Sequence, residues 1–185
     1  MKSKTDRLIL REYTQNDKQN LYKLFKENFV SMYEAHLQMK DISYVEAYIK
    51  FYIENAQSSN RTHYYFVIEL QETYDFIGII GYSFVEEIND GSVMELEYYL
   101  LEEYWNNGYM TEALKKVIAL AFEDGNVLKL FAQCHKDNVK SENVMIKCGM
   151  HKSEIQPRPK AYNGVLKENV RYEMTASDYR KIKSV

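Results

Sequence analysis

Glycine and proline are scarce, at seven and two among 185 residues. A chain that poor in both, and 45% hydrophobic, is neither a low-complexity linker nor a disordered tail. There are two cysteines, Cys134 and Cys148, without CxxC spacing, which excludes a disulfide framework and a zinc knot. Charge of one sign is missing as well. Lys plus Arg is 24 and Asp plus Glu is 27, a net charge of −3, so nothing draws the chain generally to nucleic acid or to an anionic membrane. The longest aliphatic run, around Val117 to Phe122, is far too short to span a bilayer. The start, Met1-Lys2-Ser3-Lys4-Thr5-Asp6-Arg7, has no apolar stretch of the signal-peptide kind. These absences predict a soluble, cytoplasmic, single domain over residues 1–185, with no metal, no nucleic-acid partner and no membrane.

Tyrosine is abundant: 17 residues beside one tryptophan. Its ring packs while its hydroxyl stays wet, which suits strand faces and cleft walls. Half-buried strands explain that number more simply than an aromatic binding surface does.

The hydrophobic period divides the chain in three. Leu8, Leu10 and Tyr13 suggest a first strand. Leu21, Leu24, Phe25, Asn28 and Phe29 keep helical spacing, as do Val45, Tyr48, Ile49, Tyr52 and Ile53 behind a capping box at Ser43 and Glu46. The middle alternates from Tyr64 to Leu70, runs apolar from Phe76 to Phe84, turns at Asn89-Asp90-Gly91 and alternates again from Val93 to Leu101. That pattern predicts an antiparallel meander. In the last third Thr111 caps a helix through Leu114, Val117, Ile118 and Ala121 that stops near Gly125-Asn126. A strand from Leu128 to His135, a short helix from Val139 to Lys147 and strands at Met150 to Ile155 and Val170 to Met174 complete the chain, with a turn at Asn163-Gly164. Such a meander and tail make an α+β sandwich, not a doubly wound sheet.

The segment from Leu96 to Ala113 carries the most chemistry. A strand enters a turn, Trp105-Asn106-Asn107-Gly108, and then a helix whose first amides lack intrahelical partners. Asn106, Asn107 and Gly108 tolerate left-handed backbone angles, so the turn can form a nest for phosphate oxygens. No Walker lysine follows. On the strand itself Glu95, Glu97 and Tyr99 alternate opposite Met94, Leu96, Tyr98 and Leu100. Two carboxylates on one face can hold an ammonium and relay its proton; equally, such alternation makes a plain solvent-facing edge. Asn138, Ser141 and Met145 share a helical face, where Ser141 is either a core hydroxyl or a donor facing a ligand. Cys134 and His135 point to opposite strand faces and form no dyad. His36, His63 and His151 lack partners at metal-ligand spacing and are expected on the surface. Glu86-Glu87 reads as a rim charge and Arg180 to Lys183 as a solvated helix end.

Trp105-Asn106-Asn107-Gly108-Tyr109-Met110-Thr111-Glu112-Ala113 resembles the acetyl-CoA pyrophosphate loop of GNAT N-acetyltransferases, in the branch that modifies ribosomal-protein N-termini. Asn138 to Met150 is similar to that branch's Asn-x-x-Ser-x-x-Val-x-x-Lys-x-Gly-Phe pattern, with Met150 for the aromatic. Thr5 to Arg11 and Asn163 to Tyr172 also fit, so the resemblance spans nearly the whole chain. It departs at Asn106, where Gly is usual, and at Met110, where a small residue is usual beside the cofactor.

The resemblance implies a GNAT fold, a mixed and mostly antiparallel twisted sheet with helices on both faces. It implies acetyl transfer from acetyl-CoA to a primary amine, a protein N-terminal amine foremost, by direct attack in a ternary complex. Tyr98, Tyr99 and Leu100 would meet the thioester, with a backbone N–H on its carbonyl oxygen. Asn106, Asn107, Gly108, Tyr109, Met110 and Thr111 would hold the pyrophosphate, and Asn138 the pantetheine arm. Ser141 would lie near the sulfur as proton donor, or water would do that job, since Met145 stands where many relatives carry a tyrosine acid. Glu97, nearer the cofactor turn, or Glu95 would take the amine's proton. A small amine such as an antibiotic or polyamine as acceptor, and a CoA-binding module without catalysis, are the alternatives. The assembly is expected to be a monomer or a homodimer.

Overall fold

The computed structural model describes residues 2–27, 41–89, 91–123, 126–155, 160–162 and 165–184. Strands are β1 (Lys2–Lys4), β2 (Leu8–Arg11), β3 (His63–Leu70), β4 (Phe76–Ile88), β5 (Gly91–Leu100), β6 (Val127–His135), β7 (His151–Lys152), β8 (Lys160–Tyr162), β9 (Val165–Lys167) and β10 (Asn169–Thr175). Helices are α1 (Lys18–Phe25), α2 (Ile42–Gln57), α3 (Tyr109–Glu123), α4 (Val139–Lys147) and α5 (Ala176–Lys183). Eight strands form one sheet in the order β1-β2-β3-β4-β5-β6-β10-β7, and β8 pairs with β9 separately.

Every neighbouring pair in the large sheet is antiparallel except β5 and β6, which are parallel and joined by α3. The sheet divides two apolar layers. On one face Leu96 and Leu100 of β5 pack with Ala113, Leu114 and Val117 of α3 and with Met145 and Cys148 around α4. On the other, Leu21 and Leu24 of α1 and Val45 and Ile49 of α2 cover Tyr65, Val67 and Ile79. Helices therefore lie on both faces, and the central strands are buried on both sides.

The expected meander is β3-β4-β5, with the expected strand–helix–strand–helix tail behind it. Three boundaries differ for physical reasons. Asp41, not Ser43, caps α2: its carboxylate accepts from the Ser43 amide, and an aspartate two residues upstream is an equally good cap. Thr111 lies inside α3, because Gly108, at φ 78°, lets the helix start at Tyr109. β1, lysine-flanked and without an apolar pattern, is an edge strand of the kind that periodicity misses. The turn at Asn163-Gly164 and parts of the others (Asn28, Phe29, Asp90, Gly125) lie outside the described residues, as does His36. Beside Asn163-Gly164 stand β8 and β9, which the pattern did not separate.

Arg11 ties the helical layer to the sheet. Its guanidinium meets Asp17 at 2.6 and 2.9 Å and Glu69 at 2.6 Å, joining β2, the turn before α1, and β3. Burial opposes the Asp17 anion, but hydrogen bonds from Arg11 and Thr14 outweigh it and hold the carboxyl below its usual range. A depressed folded-state pKa adds stability above the unfolded value of about 3.9 and loses it as pH falls through the folded value. Asp17→Asn should therefore cost about 2–4 kcal/mol at pH 7, leaving Arg11 without its buried partner. In urea melts the gap to the parent chain should narrow toward pH 3; a constant gap would mean that Asp17's charge does not matter.

Candidate active site

Pairing between β5 and β6 runs from Ser92 to Glu95 and stops there, opposite Phe131. Beyond that point β6 remains paired with β10 on its other edge, as it is from Lys129 to His135, while β5 continues against β4 alone to Leu100. A cleft of about 360 Å³ opens where the strands part. Its walls are both β5 faces from Glu95 to Leu100, the end of β6 at Gln133, Cys134 and His135, the loop from Tyr104 through Asn106 and Gly108, the start of α3, and α4.

Register fixes which backbone groups face this gap. The Leu101 amide donates to the Ile77 carbonyl at 2.9 Å, and Leu100 sits opposite Gly78. Odd residues of β5 thus bond toward β4, and the amides of Leu96, Tyr98 and Leu100 point toward the β6 side. Gly78 permits the close approach, since a Cβ there would meet the Tyr99 carbonyl oxygen at 2.2 Å. The Leu100 carbonyl accepts from Trp105 Nε1 at 2.8 Å, which fastens the following loop to the end of the strand.

The loop is a nest at a helix N-terminus. Asn106 has φ 62° and Gly108 φ 78°, while Asn107 keeps a negative φ. Asn106 thus takes the turn angle in place of the usual glycine, as asparagine can. The amides of Tyr109, Met110 and Thr111 are the first of α3, whose opening bond runs from the Glu112 amide to the Gly108 carbonyl at 3.1 Å. Asn107 is the exception among the expected cofactor residues. It is not a cleft wall; its carboxamide donates to the carbonyls of Tyr104 and Trp105, so it braces the turn. The bulk of Met110 turns into the core, where the side chain is 7% exposed.

Arg7 supports this loop, and the sequence did not single it out for that role. Its guanidinium donates to the Asn107 carbonyl at 3.0 Å and to Glu112 at 2.7 Å, and lies 4.6 Å from the Tyr109 ring centroid. Across the cleft, the Lys140 ammonium sits 4.0 Å from the Trp105 ring centroid, and Lys147 lines the same wall. Cations and helix amides thus gather on the α3–α4 side, a setting for phosphates.

The acids gather on the other side. Glu95 accepts from Gln133 Nε2 at 2.9 Å, and Glu97 accepts from the Tyr65 hydroxyl. β5 is a central strand and both carboxylates are half-buried, so the solvent-facing edge is excluded. Tyr99 lies on the same face, against the α1–α2 layer. His63, expected on the surface, is half-buried between Phe51, Tyr52 and Tyr65.

Ser141 meets the Tyr98 side chain. The two hydroxyl oxygens are 2.9 Å apart, and the Tyr98 hydroxyl also donates to the Ser141 carbonyl at 3.1 Å. Ser141 is therefore neither a hydroxyl closed on its own helix nor a lone donor. Asn138 lines the cleft and also caps α4, its Oδ1 accepting from the Ser141 amide at 3.2 Å. Met145 is buried completely and supplies nothing to the cleft. Burial pushes the Cys134 thiol up to about 11 and raises the Tyr98 phenol, so both keep their protons at neutral pH. A protonated thiol is a poor acyl nucleophile, and His135 bonds elsewhere, accepting from the Asp137 amide at 3.1 Å.

The model of the acetyltransferase (GNAT) domain matches residues 7–151. The uncharacterized N-acetyltransferase YoaA of Bacillus subtilis (strain 168) is 26% identical over 160 residues, covering 86% of this chain and 88% of that one. Among solved structures, a putative ribosomal-protein-serine acetyltransferase from Vibrio cholerae superposes with a TM-score of 0.74 at 22% identity, covering 95% of this chain and 97% of that one. Spermidine N-acetyltransferase from Vibrio cholerae, in complex with CoA and spermine, gives 0.80 at 16% identity, with 95% and 99% covered. These two likenesses are of fold.

The nest makes a direct prediction. Acetyl-CoA should raise the melting temperature, since a ligand of the native state adds RT ln(1 + [L]/Kd). Gly108→Val forces a β-branched residue to φ 78° and should abolish that shift, whereas Asn106→Gly should keep it. An undiminished shift in Gly108→Val would remove the loop from the binding site.

Proposed function

The chain belongs to the GNAT acetyltransferase family and uses acetyl-CoA; from that premise we propose that the acceptor is the α-amine at the N-terminus of a polypeptide. The arrangement that carries this reading is the parting of β5 from β6, with the phosphate nest on one side and Glu97 on the other. An amine entering beside Glu97 and a thioester entering from the α3–α4 side would meet at Tyr98.

Acid–base chemistry favours the α-amine. A carboxylate is a weak base for an alkyl ammonium of pKa about 10.4, of which only about 0.04% is free amine at pH 7. An α-amine, with pKa about 8, is roughly 10% free at the same pH. Glu97 then has a modest task, holding the cation and removing a proton from an amine already near neutrality. The name of the Vibrio cholerae ribosomal-protein-serine enzyme supports this acceptor. One observation favours a second reading: Glu95 adds another carboxylate on the same face, as a polyamine would want, and one structural neighbour is a spermidine acetyltransferase.

In this mechanism the nest amides and Lys140 hold the diphosphate, and Asn138 holds the arm. The Tyr98 amide donates to the carbonyl oxygen as it gains charge. The Ser141–Tyr98 hydroxyl pair protonates the departing thiolate. Attack by the amine is direct in this reading, and the burial that raises the Cys134 thiol disfavours an acyl-enzyme on that sulfur. Proximity supplies much of the rate.

Thiol release from acetyl-CoA with a panel of N-terminal serine and alanine peptides, lysine side-chain amines and polyamines tests the acceptor. A peptide should give the highest kcat/KM; no release with any amine would leave a CoA-binding module. Glu97→Gln should lower kcat/KM about 100-fold at pH 7 with acetyl-CoA affinity kept, and the deficit should shrink as pH passes 8, where the amine arrives free. A deficit equal at every pH would make Glu97 a positioning group. Ser141→Ala should slow turnover roughly ten- to a hundredfold at unchanged cofactor affinity, and normal turnover would take the hydroxyl pair out of the mechanism.

A further inference from the structure

Tyr65, Gly81 and Glu97 stand in one row across three strands. Tyr65 of β3 pairs with Gly81 of β4, and Gly81 pairs with Glu97 of β5. Tyrosine and glutamate are thus two strand spacings, about 10 Å, apart at the backbone. Yet the Tyr65 hydroxyl donates to Glu97 Oε2. The contact exists because the residue between them has no side chain. A Cβ on Gly81 would lie 2.5 Å from Tyr65 Cγ, inside the volume that the ring occupies. The lane is also closed from above: Tyr65 is 4% exposed, and the Tyr52 ring of α2 packs on it with centroids 4.7 Å apart.

We propose that Tyr65 is the positioning residue of the active-site carboxylate, reaching through the lane left by Gly81 to hold Glu97 in place and aimed at the incoming ammonium. The inference rests on the reading of Glu97 as the acceptor's proton-taking group. One carboxylate oxygen, Oε2, is engaged by the phenol, which leaves Oε1 to meet the amine. The hydrogen bond and the packed ring together remove the rotational freedom of a glutamate facing a cleft. Tyr65 itself moves no proton: burial and the Glu97 charge raise its phenol well above its ordinary value. Other titratable groups around Glu97 are His63 beside Tyr65 on β3, Tyr52 on α2, Tyr13 after β2, and Glu95 and Tyr99 on β5.

Tyr65→Phe keeps the ring and its packing and removes only the donor. Two measurements test it. In protein labelled at glutamate carboxyl carbons, with the Glu97 signal assigned by its loss in Glu97→Gln, carbon NMR at pH 7 should show the Glu97 carboxyl resonance displaced in Tyr65→Phe, because the phenol that donates to it is gone. An unmoved resonance overturns the contact. In kinetics with acetyl-CoA and a peptide bearing N-terminal serine, Tyr65→Phe should lower kcat/KM about 10- to 100-fold, with acetyl-CoA affinity unchanged. In the Glu97→Gln background the same substitution should cost less than about twofold, because the two residues act through one bond. A loss of equal size in both backgrounds would mean that Tyr65 only supports the fold, and overturns the proposal. If Glu97→Gln alone leaves turnover intact, the base assignment fails instead; if wild type does not acetylate the peptide, the acceptor assignment fails, and the carboxyl resonance still decides the contact.

Discussion

The divergence of β5 from β6 after Glu95 is the constraint from which the rest of the site follows. Parallel strands with a helical crossover would ordinarily stay paired along their length and leave no room between them. Here β10 holds β6 along its other edge, so β6 stays in the sheet after it leaves β5, and the backbone groups that faced β5 open into the cleft. β5 keeps its partner on the β4 side, and Gly78 lets the two strands approach closely where β5 stands alone. The gap passes through the sheet. A ligand on the α3–α4 face and another on the α1–α2 face can meet there, which a continuous sheet would prevent.

The two sides differ in charge although the chain is nearly balanced. Helix amides and two lysines lie toward α3 and α4, and two carboxylates lie toward α1 and α2. A polyanionic cofactor and a cationic acceptor are each drawn to the proper side and repelled from the other. Composition reports only the sum, −3, and cannot report this separation.

What was legible in the sequence was whatever local chemistry demands. A turn that needs left-handed residues announces itself with Asn106 and Gly108, and strand alternation puts Glu95 and Glu97 on one face. What was hidden depends on register and distance. Arg7 reaches Glu112 across 105 residues and Tyr65 reaches Glu97 across 32, and no periodicity encodes either pair. Three residues of similar turn propensity stand together at Asn106, Asn107 and Gly108, and only the fold shows that the Asn107 carboxamide bonds back to its own turn. Spacing gives the helical face of Ser141 but not its partner Tyr98, since a strand residue's side chain finds a helix only after both have packed.

The position of β10 has a consequence for how the chain is made. Strand β10 lies between β6 and β7, yet it is the last strand in sequence. During synthesis everything from β1 through α4 emerges first, and one edge of β6 waits with its backbone groups unpaired. The nascent protein therefore carries a sticky seam beside its future cleft until residues 169–175 leave the ribosome and close it. A chain cut short before that point would keep the phosphate nest and the carboxylates, but β6, the far wall of the cleft, would lack the partner along its outer edge.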